Sequence, residues 1–308
     1  MKISVIIPTF NPDHEFEVAI RMLEENLASF KNAISEIIIV DSGSKNGGIE
    51  FLKEKNIKLI RINSRDFNHG GTRNMAANRA SGDIIVFMTQ DAILFNERSI
   101  ANLVSPLIIH KEIGMAYGRQ LPKRDADFFG KFAREFNYPE KSTIKSLKDI
   151  NKLGIKTIFV SNSFAAYKKD LLNRVGGFPL HTILGEDTCV AAKMINEGFS
   201  IAYVADAQVY HSHNYTILQE FHRYFDTGVF HKQENWILKE FSAPESEGQK
   251  FIKMQLKALV SLHKYYLIPN FILRNGMKYL GYKLGFLEKY IPINIKRNLS
   301  MQRTFWRK

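Results

Sequence analysis

The residues of this 308-residue chain best suited to chemistry are carboxylates and imidazoles that follow apolar runs. Asp91 comes directly after one such run, where a carboxylate is well placed to hold Mg²⁺ or Mn²⁺ beside the oxygens of a diphosphate. His211 and His213 end another run, and strand alternation puts both imidazoles on one face, from which one or both could ligate a metal. Taken singly, Asp91 fits a helix cap equally well, and such a histidine pair is more often structural.

Two adjacent acids, Glu186 and Asp187, follow Gly185 at the start of a predicted helix. The helix dipole alone would stabilise both carboxylates there. One of them projecting into a cleft could instead act as a general base. The residues alone leave both Glu186 and Asp187 open for that role.

A glycine-rich loop, residues 68–74, and Asp41 suit a nucleotide. The loop is neither a P-loop nor a dinucleotide fingerprint, but Gly-Gly followed by Arg73 at a helix start can offer N–H groups and a guanidinium to phosphates. Asp41 follows another apolar run, where a carboxylate could bind a ligand at the end of a strand. The loop could equally be a tight turn, and Asp41 a cap or turn residue.

These residues need a scaffold that brings them to one edge. Near-continuous Ile and Val runs predict buried parallel strands, and the residues between them include patterns that predict helices over 16–27 and 70–81. The predicted strands are 3–8, 36–40, 57–62 and 83–88. Strand–helix–strand units of this length predict an α/β fold with a mainly parallel, Rossmann-like sheet, which binds ligands beyond the carboxyl ends of its strands.

After Asp91 the predicted elements are more widely spaced. Strands are expected at 115–119, 157–167 and 201–210, and a helix at 187–196 that stops at Gly198. Beyond about residue 215 the pattern predicts only helices, interrupted at Pro244, Pro269 and Pro292.

Composition restricts the class of protein. A single cysteine excludes an intramolecular disulfide framework and a cysteine-based zinc cluster. The N-terminus predicts a strand rather than a signal peptide, and no apolar run reaches the length of a transmembrane helix. The net charge of +12 resides in residues 250–308, which hold 13 Lys and Arg against one acid, Glu288.

In combination and order, these motifs resemble the inverting glycosyltransferases of family 2, which have the GT-A fold. The resemblance covers about residues 1–215, divided into a nucleotide-sugar half (1–91) and an acceptor half (92–215), followed by a basic amphipathic helical region (216–308). It implies that the opening PTFN motif and the end of the next strand bind the donor. It also implies a metal held by the acid at the end of the fourth strand, and a catalytic base at the start of the later helix. The implied residues are Pro8, Thr9, Asn11, Asp41, Ser42 and Gln90 for the donor, Asp91 and His211 for Mg²⁺ or Mn²⁺, and Asp187 as base.

The segment 67–74 resembles the rhamnosyltransferase branch, whose donor is dTDP-L-rhamnose. That resemblance adds His69, Gly70, Arg73 and Asn74 to the donor site. Gln90 departs from the family because it replaces an acid often found there, which leaves the metal with fewer protein charges.

The resemblance implies transfer of L-rhamnose to a lipid-linked or oligosaccharide acceptor in cell-surface polysaccharide synthesis. We expect a cytoplasmic protein, peripheral on the inner face of the plasma membrane, whose basic tail binds anionic lipid. A UDP-hexose donor, a nucleotidyltransferase and a nucleic-acid-binding module are the alternatives. Thr9–Pro12 argues against the second, since it lacks a basic glycine-rich loop. The tail alternates charge with apolar residues, which favours a membrane over nucleic acid.

Overall fold

The computed structural model describes residues 1–30, 34–242 and 245–307, apart from the side chain of Glu245. Within them lies a sheet of nine strands, ordered β3-β2-β1-β4-β8-β6-β9-β5, with β7 also paired to β9. The strands are β1 (Lys2–Thr9), β2 (Ile34–Asp41), β3 (Lys58–Arg61), β4 (Ile84–Met88), β5 (Ile93–Leu94), β6 (Ile113–Leu121), β7 (Thr143–Lys145), β8 (Phe164–Lys168) and β9 (Ser200–Tyr210).

The described residues also form twelve α-helices, joined in places by short 3₁₀ helices. They are α1 (Glu15–Ala28), α2 (His69–Arg79), α3 (Ser99–Ile109), α4 (Phe128–Asn137), α5 (Ile150–Leu153), α6 (Lys169–Arg174), α7 (Glu186–Asn196), α8 (Ile217–Gln233), α9 (Asn235–Phe241), α10 (Glu245–Ser261), α11 (Ile268–Phe286) and α12 (Ile293–Leu299). The four early strand predictions and the helices at 16–27, 70–81 and 187–196 are confirmed to within a few residues. The helix break expected at Pro244 lies outside the described residues.

Helices cover both faces of the sheet, which explains the near-continuous apolar strands. Val5 packs in one core cluster with Phe16 of α1 and Leu103 of α3. The next residue, Ile6, points to the other face and packs in a cluster with Ala76 of α2 and residues of α7. The predicted α/β fold is therefore confirmed.

The sheet is mainly parallel but not uniformly so. β1 pairs in parallel with β2 and β4, β2 with β3, and β6 with β9. β8 is antiparallel to both of its neighbours, β4 and β6. Parallel strands bring the ends of β1, β2 and β4 to one edge, and that edge carries the residues expected to bind the donor.

The predicted strand at 157–167 is wrong in its first half. A 3₁₀ helix spans Gly154–Ile158, and β8 begins only at Phe164. The physical reason is the polar sequence Ser161-Asn162-Ser163, whose side chains and amides bond to neighbouring residues instead of to a strand. Ser161 accepts a hydrogen bond from Gln120, and the Asn162 amide N–H donates to Asp187.

The C-terminal helices are packed onto the rest of the chain. α11 lies against α8 at a glycine contact so close that a Cβ on Gly285 would stand 2.0 Å from the carbonyl oxygen of Phe225. Asp226 of α8, fully buried, accepts backbone hydrogen bonds from Met301 and Gln302, both 3.0 Å. Trp306 is buried in the core cluster that contains Ile6. The boundary near residue 215 stays a prediction.

Candidate active site

Asp91, His211 and His213 converge, as the sequence predicts for the first two. Nε2 of His211 lies 3.3 Å, and Nε2 of His213 3.6 Å, from the Oδ2 atom of Asp91. One possible ligand atom from each residue lies within 4.8 Å of those of the other two, so the three form a candidate metal site. His213 lies beside His211. The chain after β9 brings the two rings edge to face, with their centroids 4.8 Å apart.

The electrostatics of this cluster suit a cation. Burial acts to raise the pKa of Asp91, but its hydrogen bond to His211 and the two imidazole charges hold that pKa below its usual value. Burial, reinforced by the neighbouring His211, lowers the pKa of His213 to about 4. Near neutral pH the site therefore offers a carboxylate and an uncharged imidazole, the forms that bind metals.

Asp187 and Glu186 begin α7 as predicted, and they have different surroundings. Glu186 is 6% exposed, and its Oε1 lies 3.2 Å from both the Arg73 guanidinium and the Asn162 side-chain amide. Asp187 is half-buried and accepts hydrogen bonds from the backbone N–H groups of Asn162, at 3.0 Å, and Thr188, at 2.8 Å.

These surroundings separate the two acids in proton affinity. Burial and the charge of Glu186 raise the pKa of Asp187 to about 6. Burial also acts on Glu186, but the Arg73 and His69 charges outweigh it and lower its pKa. Of the two candidates, Asp187 has the proton affinity of a general base, while Glu186 is held in an ion pair.

Arg73 is placed differently from the expectation for a phosphate ligand. It is buried, and besides its ion pair with Glu186 it donates to the carbonyl oxygen of His69 at 3.0 Å. Its Nε has no hydrogen-bond partner among the described residues. Burial lowers the pKa of His69. Contact of Arg73 and His69 with a donor stays a prediction.

The motif around residues 68–74 docks onto the segment that precedes α7. The side chain of Asn74 donates to the Phe178 carbonyl and accepts from its N–H, at 2.8 and 2.9 Å. Asn68 caps α2 through the N–H of Gly71 and donates to the Leu180 carbonyl. Gly70 is needed for this approach, since a Cβ there would lie 1.9 Å from the Pro179 carbonyl oxygen. The motif thus joins α2 to the chain that leads into Glu186 and Asp187.

The ends of β1 and β2 bring the other donor-binding candidates together. Thr9 is in register with Asp41, and Pro8 precedes it on β1. The buried Asp41 carboxylate accepts hydrogen bonds from the N–H groups of Gly43 and Ser44 and from the Ser44 hydroxyl. The next residue, Ser42, is also buried.

Two further side chains tie the loop after β1 to this edge. The backbone N–H of Asn11 donates to the Ser44 hydroxyl oxygen, and the Asn11 side-chain oxygen accepts from the N–H of Lys45, both at 2.8 Å. Gln90 holds both backbone groups of Phe10, accepting from its N–H at 2.8 Å and donating to its carbonyl at 3.2 Å. Gln90 therefore positions the loop after β1. An ionised acid could not make both hydrogen bonds, because a carboxylate cannot donate to the Phe10 carbonyl.

Sequence reasoning missed Gln120, Ser161 and Asn162. Nδ1 of His211 lies 2.9 Å from Oε1 of Gln120, whose Nε2 donates to Ser161. Asn162 contacts both acids of α7, and its Oδ1 accepts the Tyr167 hydroxyl at 2.7 Å. The signal in the sequence was the polar triplet inside the apolar run at 157–167.

An open polar cavity of about 410 Å³ lies beside the metal cluster. Its lining includes His213 and Tyr215, whose rings are stacked at 5.1 Å. Acidic and amide groups from three separate segments complete the wall, which suits a polyhydroxylated ligand. They are Asp13, Glu15, Asp125, Asn214 and Gln219.

The sequence matches Glycosyl transferase family 2 over residues 4–176, more than half of the chain. The chain therefore belongs to that family and is a glycosyltransferase, as its resemblance predicted. It is 44% identical to the O-antigen chain rhamnosyltransferase RfbN of Salmonella typhimurium, over 99% of this chain and 96% of that one. It is 45% identical to the O-antigen chain rhamnosyltransferase WbaN of Salmonella anatum, over 89% and 87%.

Solved structures of low sequence identity share the fold. A mannosyltransferase from Pyrobaculum calidifontis, solved with GDP-Man and Mn²⁺, superposes with a TM-score of 0.61 at 17% identity and covers 93% of this chain and 87% of its own. S. aureus TarS 1–349 with UDP-GlcNAc gives 0.53 at 16% identity, with 94% and 91% covered. These similarities confirm the GT-A fold and carry no inference about the donor.

Proposed function

We propose that this glycosyltransferase transfers L-rhamnose from dTDP-L-rhamnose, with inversion, onto a growing O-antigen saccharide. The observation that carries the proposal is identity of 44–45% to two O-antigen chain rhamnosyltransferases along nearly the whole chain. The site supports it with one well-placed base, Asp187, and a separate metal cluster. The eight-residue motif 67–74, which docks beside that base, also resembles the rhamnosyltransferase branch.

Asp187 acts as the general base in this mechanism. It takes the proton of the acceptor hydroxyl as that oxygen attacks the anomeric carbon of the donor, while the bond to the diphosphate oxygen breaks on the opposite side. A single displacement of this kind inverts the anomeric centre and needs no covalent nucleophile on the enzyme. Glu186, held by Arg73 and Asn162, keeps the proton affinity of Asp187 high through its charge.

Asp91, His211 and His213 fit a divalent cation, Mg²⁺ or Mn²⁺. Their donor set is one carboxylate oxygen and two imidazole nitrogens, and donor diphosphate oxygens would complete the coordination. The bound cation would offset the charge that develops on the departing nucleoside diphosphate. Gln90 contributes by fixing the loop after β1 rather than by adding charge.

The donor's nucleoside lies at the ends of β1 and β2 in this proposal. Asp41 accepts the imide N–H of thymine, and Pro8, Thr9, Asn11 and Ser42 shape the surrounding surface. His69, Gly70, Arg73 and Asn74 belong to α2, which the Arg73–Glu186 ion pair joins to the start of α7 beside Asp187. Gly70 and Asn74 act there by holding the 178–180 segment, as their contacts support.

A panel of nucleotide sugars tests the function directly, with release of nucleoside diphosphate as the readout. We expect dTDP-L-rhamnose to be turned over faster than UDP-hexoses or GDP-mannose when an O-antigen saccharide acceptor is present. Asp41→Ala should raise the donor KM more than it lowers kcat, because recognition of the base is largely uniform binding. Faster turnover of a UDP-hexose would overturn the donor and leave the family unaffected.

We also propose that the chain docks on the cytoplasmic face of an anionic membrane, where a lipid-linked acceptor is carried. The support comes from the α10–α11 hairpin, residues 245–286, which exposes apolar and aromatic side chains beside lysines. At its turn Tyr266 is 75% exposed, and Ile272 on α11 is 63% exposed. Among the described residues, no helix combines the length and apolar character needed to cross a membrane.

Several basic and apolar residues of the tail make contacts inside the fold and are therefore not available to lipid. Leu259 and Phe271 are buried with Phe129, and Arg274 and Lys278 are paired with the buried Glu220. Lys296 pairs with Glu288. Part of the positive charge of residues 250–308 is therefore neutralised by ion pairs within the fold. The exposed residues left for a membrane include Lys253, Lys257, Lys283, Lys289, Tyr265, Tyr266, Leu280 and Tyr290.

Flotation with vesicles containing anionic lipid tests this docking at low and high salt. Reversing Lys253 and Lys257 together to Glu should cost at least about 2 kcal/mol, or roughly thirtyfold in partition, since each basic residue contributes about 1 kcal/mol at such a surface. The same reversal at the exposed Lys148 and Lys152 is the matched control, because it changes the net charge equally. An equal loss of vesicle binding in the two double variants would show that only the total charge of the protein matters.

A further inference from the structure

Hydrogen bonds connect the candidate metal site to the proposed base through Gln120 and the adjacent residues Ser161 and Asn162. Gln120, at the end of β6, is 2% exposed, and its side-chain oxygen lies 2.9 Å from Nδ1 of His211. The same oxygen accepts from a guanidinium nitrogen of Arg134 on α4. The Gln120 amide nitrogen donates to the Ser161 hydroxyl at 3.0 Å, and the N–H of the following residue, Asn162, donates to Asp187.

Arg134 determines which way the Gln120 amide faces. A guanidinium carries only donors, so the Gln120 atom beside it must be the oxygen. An amide turned the other way would set two donors against each other and would leave Ser161 without its donor. The oxygen therefore faces both Arg134 and His211.

The His211 tautomer follows from that orientation. The Gln120 oxygen can only accept, so Nδ1 of His211 must carry the proton that it receives. Nε2, the atom 3.3 Å from the Asp91 carboxylate, is then the ring nitrogen that can give up its proton to a cation and offer a lone pair. Without Gln120 the ring would be free to place its proton on Nε2, which cannot bind a metal in that state.

We propose that Gln120, oriented by Arg134, is a positioning residue that fixes His211 with its Nε2 lone pair directed at the metal site. The inference rests on the proposed divalent cation at Asp91, His211 and His213. Gln120 touches no substrate atom and acts only through His211. Outer partners of this kind set the tautomer and basicity of a metal-binding histidine.

The first test reads the tautomer in the metal-free full-length protein. Long-range nitrogen–proton NMR of isotope-labelled histidine distinguishes the two tautomers, and His211→Gln identifies the signal of His211. We expect Nδ1 of the wild-type ring to be protonated, whether or not Nε2 also shares a proton with Asp91, and Gln120→Met to leave Nδ1 unprotonated. An unprotonated Nδ1 in the wild type, or an unchanged signal in Gln120→Met, would overturn the proposal.

The second test measures Mn²⁺ binding to each variant by the spin-resonance signal of free Mn²⁺. Gln120→Met should weaken binding by about 10–100-fold, the usual effect of losing an outer-shell partner. Gln120→Glu keeps an acceptor for both Arg134 and His211, so it should hold affinity within about threefold of wild type. Equal weakening by both variants would mean a structural role only.

Controls separate this inference from the proposed metal site itself. Gln208→Met on β9 changes a glutamine that bonds locally to the Ala205 carbonyl, and it should leave Mn²⁺ affinity unchanged. Should Gln120→Met fail to fold, Arg134→Met tests the same relay, with a partial shift of the His211 tautomer expected and an unchanged tautomer contradicting it. Wild-type protein that binds no Mn²⁺ would refute the metal site, while the metal-free NMR result would still decide the role of Gln120.

Discussion

Replacing Asp187 with asparagine tests the assignment of the base most directly. Asparagine keeps an oxygen that accepts from the N–H groups of Asn162 or Thr188, so the start of α7 should stay folded. It cannot take a proton from the acceptor hydroxyl. Because general-base catalysis contributes about 10²–10⁴ in rate, kcat should fall by that factor, or about 3–5 kcal/mol in activation free energy. The donor KM should change little, since in the proposed mechanism Asp187 contacts the acceptor hydroxyl rather than the donor.

The pH profile gives an independent measure of the same residue. Asp187 accepts a proton only when ionised, and burial with the Glu186 charge raises its pKa to about 6. Wild-type kcat/KM should therefore be constant at higher pH and fall as pH drops through about 6. Glu186→Gln removes a charge that favours the protonated form, so the fall should move to lower pH. In Asp187→Asn this acid limb should vanish.

The assay is nucleoside diphosphate release across that pH range, with the unfolding midpoint of each variant measured alongside. Asp187→Asn with kcat within tenfold of wild type would refute the assignment. Loss of the acid limb in Glu186→Gln, with the limb retained in Asp187→Asn, would identify Glu186 as the base. Glu186→Gln also leaves the buried Arg73 unpaired, so some loss of stability is expected without bearing on the role of Asp187.

Three further perturbations follow from the structure. EDTA should reduce activity, with Mg²⁺ or Mn²⁺ restoring it, and Asp91→Asn should weaken Mn²⁺ binding; full activity in chelator would remove the cation from the mechanism. Asp226→Ala leaves two backbone N–H groups of residues 301–302 without their acceptor and should cost about 1–3 kcal/mol in urea unfolding, reported by the fluorescence of the buried Trp306. Gly70→Ala should cost about 1–3 kcal/mol and lower kcat by displacing the 178–180 segment, whereas Gly248→Ala, with open space around it, should do neither.

The fold was predictable where strands are buried on both faces. Ile84–Met88 is fully buried in β4, and such runs are legible because each position must be apolar. The antiparallel placement of β8 between β4 and β6 was not predictable, because strand direction depends on distant connections rather than on local pattern. The helices α3 and α4 were not predicted, although α3 is largely apolar; Pro106 inside it is a residue that argues against a helix.

The site divides in the same way. Asp91, His211 and Asp187 follow strand ends or begin a helix, and those positions can be recognised from the sequence alone. Gln120 could not be recognised, because its partner His211 is 91 residues away along the chain. Asn162 stood out only as part of a polar triplet, which does not reveal its partner Asp187, 25 residues away. Arg73 illustrates the limit: its type predicts a phosphate ligand, which stays a prediction, while its ion pair with Glu186 depends on how the fold brings the two residues together.

The C-terminal helices contribute to the catalytic region as well as to the surface proposed to meet the membrane. Arg274 of α11 donates to the Tyr215 carbonyl at 2.6 Å, and the Tyr215 ring is stacked on His213 of the candidate metal site. Asp226 holds the chain at residues 300–302, from which Trp306 enters the core. Removing this region would therefore disturb the metal site and the core together with any lipid contact. Substitution of exposed residues can separate membrane docking from catalysis. The exposed lysines of the α10–α11 hairpin take no part in the buried contacts made by other residues of the same helices.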